Sequence, residues 1–386
     1  MPDLVITNAT VWTSPDDEPL PDHAVVVHAG VVERVVPTAA LDGAVADLPV
    51  WDAVGRVVTA GFWNCHVHLS EPVWRGAGRA PVARLQAALD DMLLSRGFTT
   101  AVDLASNSRD TLPLVARIAS GELAGPTILS ATEAIRPARG LPFYTREEVP
   151  WFLWWALPTP WTAAGARRVA RRQLRKGARV IKLFTGSYVE RDRIKPMGIP
   201  HARAAVEVAH EHGVLVFAHT SNREGLQVAL DAGVDVIAHV PDETDGTEPL
   251  LREAANRGVW LVPTLLMFAE TVTTSPAYLD PIDDALRVFR DAGGRVLFGT
   301  DVGYLQEYAI DGELAALERC GLDGPAVLRA LTTEPAAAFG RPDEGTVAPG
   351  MRADLTVLET RASVVRPGDL GRVAAVVKDG RVVLTR

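Results

Sequence analysis

The chain has 386 residues, 47% of them hydrophobic and 23% charged, the balance of a globular protein and not of a disordered or fibrous one. Its formal net charge of −9 excludes a surface built to coat nucleic acid, and its two cysteines, Cys65 and Cys320, are too few for a disulfide framework. The opening MPDLVITNAT has no basic stretch followed by an apolar one, and no run approaches a membrane-spanning length, so no secretory signal, no membrane contact and a cytoplasmic location are expected.

The first 58 residues read as short strands. LVITNATVWT, HAVVVHAGVVERVVP and VWDAVGRVVTA carry β-branched residues between Pro, Asp and Gly turns. Eight apolar runs follow: FWNCHVHL, FTTAVDL, PTILSA, RVIKLF, VLVFAHT, VIAHVP, WLVPTL and RVLFGTD. Amphipathic patterns separate most of them, such as Val82, Leu85, Leu89 and Met92. Continuous apolar runs suit buried parallel strands. Eight strand–helix units predict an α/β protein whose residues 59–344 form a (β/α)8 TIM barrel. A doubly wound open sheet is the alternative, but it gives no reason for polar residues at so many strand ends. From Gly345 the pattern returns to strands, ADLTVLE and VAAVVKDGRVVLTR, with Asp379-Gly380 as a hairpin turn. Residues 1–58 and 345–386 are therefore expected to close one small β-sandwich domain.

Residues 131–178, after the third run, make an unusually long connection. It carries Phe143, Tyr144, Trp151, Phe152, Trp154, Trp155 and Trp161, and then the basic helix RRVARRQLRK, read as a solvated outer face. Leaving from the C-terminal end of a strand, its first part should overhang a barrel mouth. Trp151, Trp154 and Trp155 then either form an apolar wall for substrate or serve as packing or a homo-oligomer interface.

The strand ends carry the chemistry. His66 and His68 end the first run, and residues two apart in a strand share a face. His210 and His212 have the same spacing in a helix, where they do not, and are read as structural. Lys182 lies in RVIKLF between Ile181 and Leu183, where an unneutralised ammonium is costly. His219, His239 and Asp301 end the fifth, sixth and eighth runs. Taken singly, each His reads as a core residue, Asp301 as a turn cap, and Lys182 as a snorkelling rim residue. Together, at one barrel mouth, imidazoles and a carboxylate suit zinc or a similar divalent ion.

The order His-x-His, Lys, His, His, Asp on successive strands resembles the amidohydrolase superfamily, in its two-metal branch with a carboxylated lysine. GFWNCHVH and GTVAPGMRADLTVLE…VVKDGRVV are similar to that superfamily's opening and closing segments. The nearest resemblance is to imidazolonepropionase-like and Xaa-Pro dipeptidase-like members. Asn64 departs from the Asp often found two residues before the first His, a position that orients and does not ligate. The resemblance implies that His66 and His68 hold the more buried metal with Asp301, and His219 and His239 the more exposed one. It implies two divalent ions, zinc by expectation, bridged by Lys182 carboxylated by CO2. It further implies attack by a bridging hydroxide, with Asp301 as general base and then acid.

Around that centre, Tyr188 is a candidate oxyanion donor and Tyr144 a substrate contact. His201 and Arg223, near helix starts, are further substrate-contact candidates, Arg223 for a carboxylate. Cys65 reads as a small strand residue. The expected activity is hydrolysis of an amide or peptide C–N bond in a bulky apolar, small-molecule or peptide-like substrate. A cyclic amide, lactone or phosphotriester is the alternative, and a non-catalytic barrel scaffold the remote one.

Overall fold

In the computed structural model, which describes residues 3–41 and 48–386, the β-branched N-terminal runs form β1 (Leu4–Val11), β2 (Leu20–His28), β3 (Val31–Pro37), β4 (Val50–Asp52) and β5 (Val57–Ala60). β1, β2 and β3 are an antiparallel meander, while β4 and β5 lie parallel to successive parts of β1.

The chain then enters a parallel arc of β6 (Phe62–Val67), β7 (Phe98–Asp103) and β8 (Thr127–Ser130). A second parallel arc holds β9 (Ile181–Phe184), β12 (Val216–His219), β13 (Val236–Ala238), β14 (Trp260–Val262) and β15 (Arg295–Val296). After β9 the chain makes an antiparallel hairpin, β10 (Gly186–Glu190) and β11 (Arg193–Pro196). At one seam Arg179 donates to Ser130 O and Ile135 to Lys182 O, both at 2.8 Å. At the other, Cys65 donates to Phe298 O and His68 to Val302 O, both at 2.7 Å. The eight parallel strands therefore follow one another around a ring, in the order of the eight apolar runs.

The strands are short and buried, so helices must cover their outer faces. These include α1 (Val82–Met92), α2 (Ser108–Ala119), α3 (Phe143–Glu148), α4 (Ala163–Lys176), α5 (Ile199–Glu211), α6 (Arg223–Ala232), α7 (Glu248–Asn256), α8 (Leu265–Thr271) and α9 (Pro276–Asp291). α1 buries Leu85, Leu89 and Met92 at helical spacing and leaves Val82 exposed at its first position. Asn107, Thr162 and Asn222 cap α2, α4 and α6 by accepting from backbone amides of the first turn. Among the described residues, no helix is long and apolar enough to cross a membrane.

β16 (Leu355–Leu358), β17 (Val373–Lys378) and β18 (Arg381–Thr385) bring the chain back beside β5. All eight terminal strands belong to one sheet, ordered β18-β17-β16-β5-β1-β2-β3 with β4 beside β1. Ile6, Val25, Val58, Leu355 and Val377 belong to a core of its own, separate from the ring's. Asp379 and Gly380 both have positive φ, 50° and 76°, as a two-residue turn twisting with its strands requires.

Candidate metal centre

Ligand-type side chains meet where β6, β9, β12 and β13 and the segment after β15 reach the same end of the ring. Asn64 braces this end. Its Oδ1 accepts from the amides of His66 (3.2 Å) and Thr300 (3.3 Å), and its amide donates to Thr300 Oγ1 at 2.8 Å. β6 is thereby tied to the segment presenting Asp301. Two glycines permit the close approach. A Cβ on Gly299 would lie 2.4 Å from Val262 Cγ1 and 2.9 Å from His66 Cβ, and one on Gly303 would lie 1.7 Å from His68 O.

Asp301 and His239 have left-handed backbones, φ 60° and 83°. That conformation costs about 1–3 kcal/mol for such residues and persists only where the surroundings impose it. Here Asp301 N donates to His66 O (2.9 Å) and His239 N to Val262 O (3.0 Å).

Asp301 Oδ1 lies 2.9 Å from His68 Nε2 and 3.2 Å from His66 Nε2, and Oδ2 lies 3.9 Å from His239 Nε2. His66, His239 and Asp301 each offer one ligand atom, all within 4.8 Å of one another. The His219 ring stands edge-on to His239 at 4.7 Å and stacks on Phe184 at 4.6 Å.

Burial, followed by the nearby Lys182, holds His66 and His219 well below the ordinary imidazole pKa, and burial followed by His219 does so for His239. Neutral imidazole is the ligating form. Thr264 sets the tautomer of His239. Its hydroxyl donates to Pro263 O (2.8 Å) and so accepts from His239 Nδ1 (2.6 Å), leaving the Nε2 lone pair free. Burial also pushes the Lys182 amine down to about 7, against the opposing pull of Asp301.

Close as they are, these groups do not satisfy one another. Both ring nitrogens of His66, Asp301 Oδ1 and Lys182 Nζ are buried with no hydrogen-bond partner among the described residues. Lone pairs and a carboxylate that converge but cannot pair by hydrogen bonds are what a divalent cation would satisfy. The donor set therefore fits metal.

The centre opens into a cavity of about 1820 Å³, larger than an ordinary small-molecule pocket of ~300–1,000 Å³. His66, His68, Lys182, His219, His239 and Asp301 all line it, as do Tyr144, Tyr188 and Trp155. Tyr188, on β10, gives its one proton to Asp242 Oδ2 at 2.7 Å, and Tyr278 donates to the same oxygen at 3.1 Å. In this structure the Tyr188 hydroxyl is thus directed at Asp242, an arrangement that does not favour the oxyanion role expected of it. Tyr144, on α3, stands beside Tyr304 at 5.6 Å between ring centres.

Of the three tryptophans expected as a wall, only Trp155 lines the cavity. Trp151 and Trp155 are both largely exposed, 76% and 83%, so Trp155 stands at the cavity's open rim and Trp151 outside it, while half-buried Trp154 secures its own turn by donating to Val149 O at 2.8 Å. His201 and Arg223 also fall outside the lining. The β10–β11 hairpin intervenes between β9 and α5, and His201 at the start of α5 folds back over Gly198, while Arg223 lies along Gly246. The basic helix α4 is not wholly a solvated face, since Arg172 and Lys176 line the cavity. His210 bonds Asp235 at 3.0 Å and His212 bonds Val208 O at 2.9 Å, local roles both. Cys65 sits in the apolar core, where burial pushes its thiol pKa up and away from nucleophilicity.

Three polar residues of this region escape the sequence reading. Asp103, ending β7, accepts from Ser130 (2.6 Å), Ser106 and the Leu69 amide (3.3 Å), bracing the turn after His68. Its signal was a strand-end acid, as for Asp301. Asp242 directly follows the sixth run. Arg136 lies inside the long insertion, where no periodicity marks it.

The sequence profile of the amidohydrolase family matches residues 57–383. An uncharacterized protein of Mycobacterium tuberculosis is 31% identical over 187 residues, 44% of this chain, so that the chain spans about half (50%) of that relative's length. Ochratoxinase of Aspergillus niger is 26% identical over 394 residues, covering 89% of this chain and 78% of the relative. Imidazolonepropionase of Chromobacterium violaceum is 26% identical, covering 91% and 87%. Among solved structures, A. niger ochratoxinase superposes with a TM-score of 0.81 at 21% identity, over 99% of this chain and 96% of that one. A Xaa-Pro dipeptidase gives 0.81 at 20% identity, over 98% and 99%.

Proposed function

The chain belongs to the amidohydrolase family, and from that premise we propose that it hydrolyses an amide or peptide C–N bond with two divalent ions, zinc by preference. In this reading residues 59–344 are a (β/α)8 barrel and the terminal strands fold over their own core as a small sandwich. The observation that carries the proposal is the convergence of six ligand-type side chains, several with buried, unsatisfied nitrogen or oxygen atoms, at one end of the strand ring.

His66, His68 and Asp301 would hold one ion and His219 and His239 the other, with Lys182 shared. Bound there, the ions supply a water whose pKa is lowered toward neutrality and a Lewis acid for the scissile carbonyl. Lys182 suits the shared role as a carbamate. Its buried amine, brought down to about 7, is substantially neutral near neutral pH and can add to CO2 with release of one proton. Asp301 takes the proton of the attacking water and delivers it to the leaving nitrogen, so the amine departs uncharged.

The large cavity, with Phe184, Phe268 and Trp155 in its walls, favours a bulky, partly apolar substrate. Trp155→Ala should raise KM for large apolar amides by about 10–100-fold, the equivalent of ~1–3 kcal/mol of apolar contact, and leave a small amide unaffected. Trp151→Ala, outside the cavity, should change neither. Steady-state kinetics on a matched pair of amides reads the difference, and equal effects of the two variants would remove Trp155 from the substrate wall. The reading as a whole is tested by a hydrolysis panel of peptides, N-acyl amino acids, lactams, lactones and phosphotriesters. Turnover confined to lactones or phosphotriesters would overturn it.

A further inference from the structure

Arg136 is a buried cation with no ion-pair partner among the described residues: Glu133 acts on it only from beyond contact and is itself paired with Lys176. Its side chain is only 8% exposed. Nη1 donates to Ala134 O at 3.1 Å, while Nε is buried without an acceptor among the described residues. The guanidinium carbon stands 5.0 Å from the centre of the Phe184 ring, the ring that also stacks on His219. Among the described residues, no carboxylate comes within ion-pair distance of it. A charge held in this way is costly unless something supplies the opposite one.

The residue is also clamped. Ile135 N donates to Lys182 O (2.8 Å), Phe184 N donates to Ile135 O (2.9 Å), and Arg136 N donates to Pro158 O (2.9 Å). The guanidinium thus sits on backbone bonded directly to the strand that carries Lys182, and it lines the same cavity as Lys182, His219 and Tyr144. The cavity is locally basic on a chain of net charge −9. Arg75, Arg109, Arg172, Lys176 and Arg191 line it too, whereas its acids besides Asp301 are engaged: Glu133 pairs with Lys176, Glu71 accepts from Tyr308, and Asp242 accepts from two tyrosines. Such a cavity draws in anions.

We propose that Arg136 binds a carboxylate of the substrate, and that the natural substrate is an amide bearing a free carboxylate close to the scissile bond. The planar guanidinium matches a carboxylate with two parallel hydrogen bonds, which a compact ammonium cannot do. The proposal rests on the C–N hydrolysis reading for its meaning, but its test does not depend on turnover.

The test is calorimetric titration of the full-length, metal-loaded protein with two uncleavable probes of similar shape, 3-phenylpropanoate and the neutral 3-phenylpropan-1-ol. The wild-type protein should bind the carboxylate about 10–100-fold more tightly, the usual worth of charge-assisted hydrogen bonds. Arg136→Gln should bring the two affinities to within about threefold, and Arg136→Lys should restore only part of the preference. Metal content and melting temperature, measured alongside, show whether each variant is folded. No preference in the wild-type protein overturns the proposal, whatever the variants do. A preference that survives in a folded, metal-loaded Arg136→Gln protein also overturns it, by placing the carboxylate on the metal ions. A protein that shows the Arg136-dependent preference yet cleaves nothing in the panel refutes the hydrolase reading and leaves Arg136 as an anion site.

Discussion

Lys182→Ala is expected to lose bound metal and turnover together. Lys182 is 1% exposed, and among the described residues its amine has no hydrogen-bond partner, so the side chain contributes no hydrogen bond to the fold. Its value lies in what the nitrogen can become. A carbamate on Nζ would place one negative charge among the four imidazoles and Asp301, and neither Ala nor any neighbouring side chain can replace it. The expected result is a folded protein that retains less than one ion per chain and whose kcat falls by more than about 100-fold. Short carboxylates such as acetate or propionate should restore part of both, because they fit the space the side chain vacates and carry the missing charge. Metal content and initial rates, read with and without added acetate, check this. Near wild-type turnover in Lys182→Ala would remove the carbamate from the account.

Asp301→Asn should damage turnover far more than binding. Asn is nearly the same size and, like Asp, tolerates the left-handed backbone found here, φ 60°, so the segment after β15 should keep its shape. The amide oxygen can still approach a cation, but the group can no longer take up and release a proton. Loss of a positioned acid–base group implies a fall in kcat of about 10²-fold or more, with KM changed much less. A raised KM at unchanged kcat would instead assign Asp301 to substrate binding.

Both variants concern residues readable in the sequence, for a definite physical reason. A buried strand is almost wholly apolar, so one His, Lys or Asp at its end stands out, and the same event on five strands is more informative than any single one. The alternation of runs also carries the strand order of the ring, because each run is both short and uninterrupted. The last run shows where this fails. Only Arg295–Val296 is regular strand, because the following residues bend to bring Asp301 under His66. The β10–β11 hairpin is invisible for a related reason: SYVERDRIKP mixes charge and apolar residues without a clean period of two.

Specificity is less legible than chemistry. Trp151, Trp154 and Trp155 are alike in sequence, yet on a short 3-10 segment, Trp151–Ala156, one is half-buried and two are exposed, and only one of these borders the cavity. Tyr188 is a plausible donor until Asp242, contributed by another loop 54 positions on, takes its proton. Arg136 becomes notable only when its burial and its lack of a carboxylate are seen together. Each of these depends on which loops come together over the ring, and no local pattern encodes that.

The account rests on a two-metal centre, and the most direct measurement is the metal content of the purified chain. Ligands from five strand ends are too many for one tetrahedral ion. Elemental analysis of protein produced with added zinc and bicarbonate should give two divalent ions per chain. One ion, or none, under those conditions would contradict it.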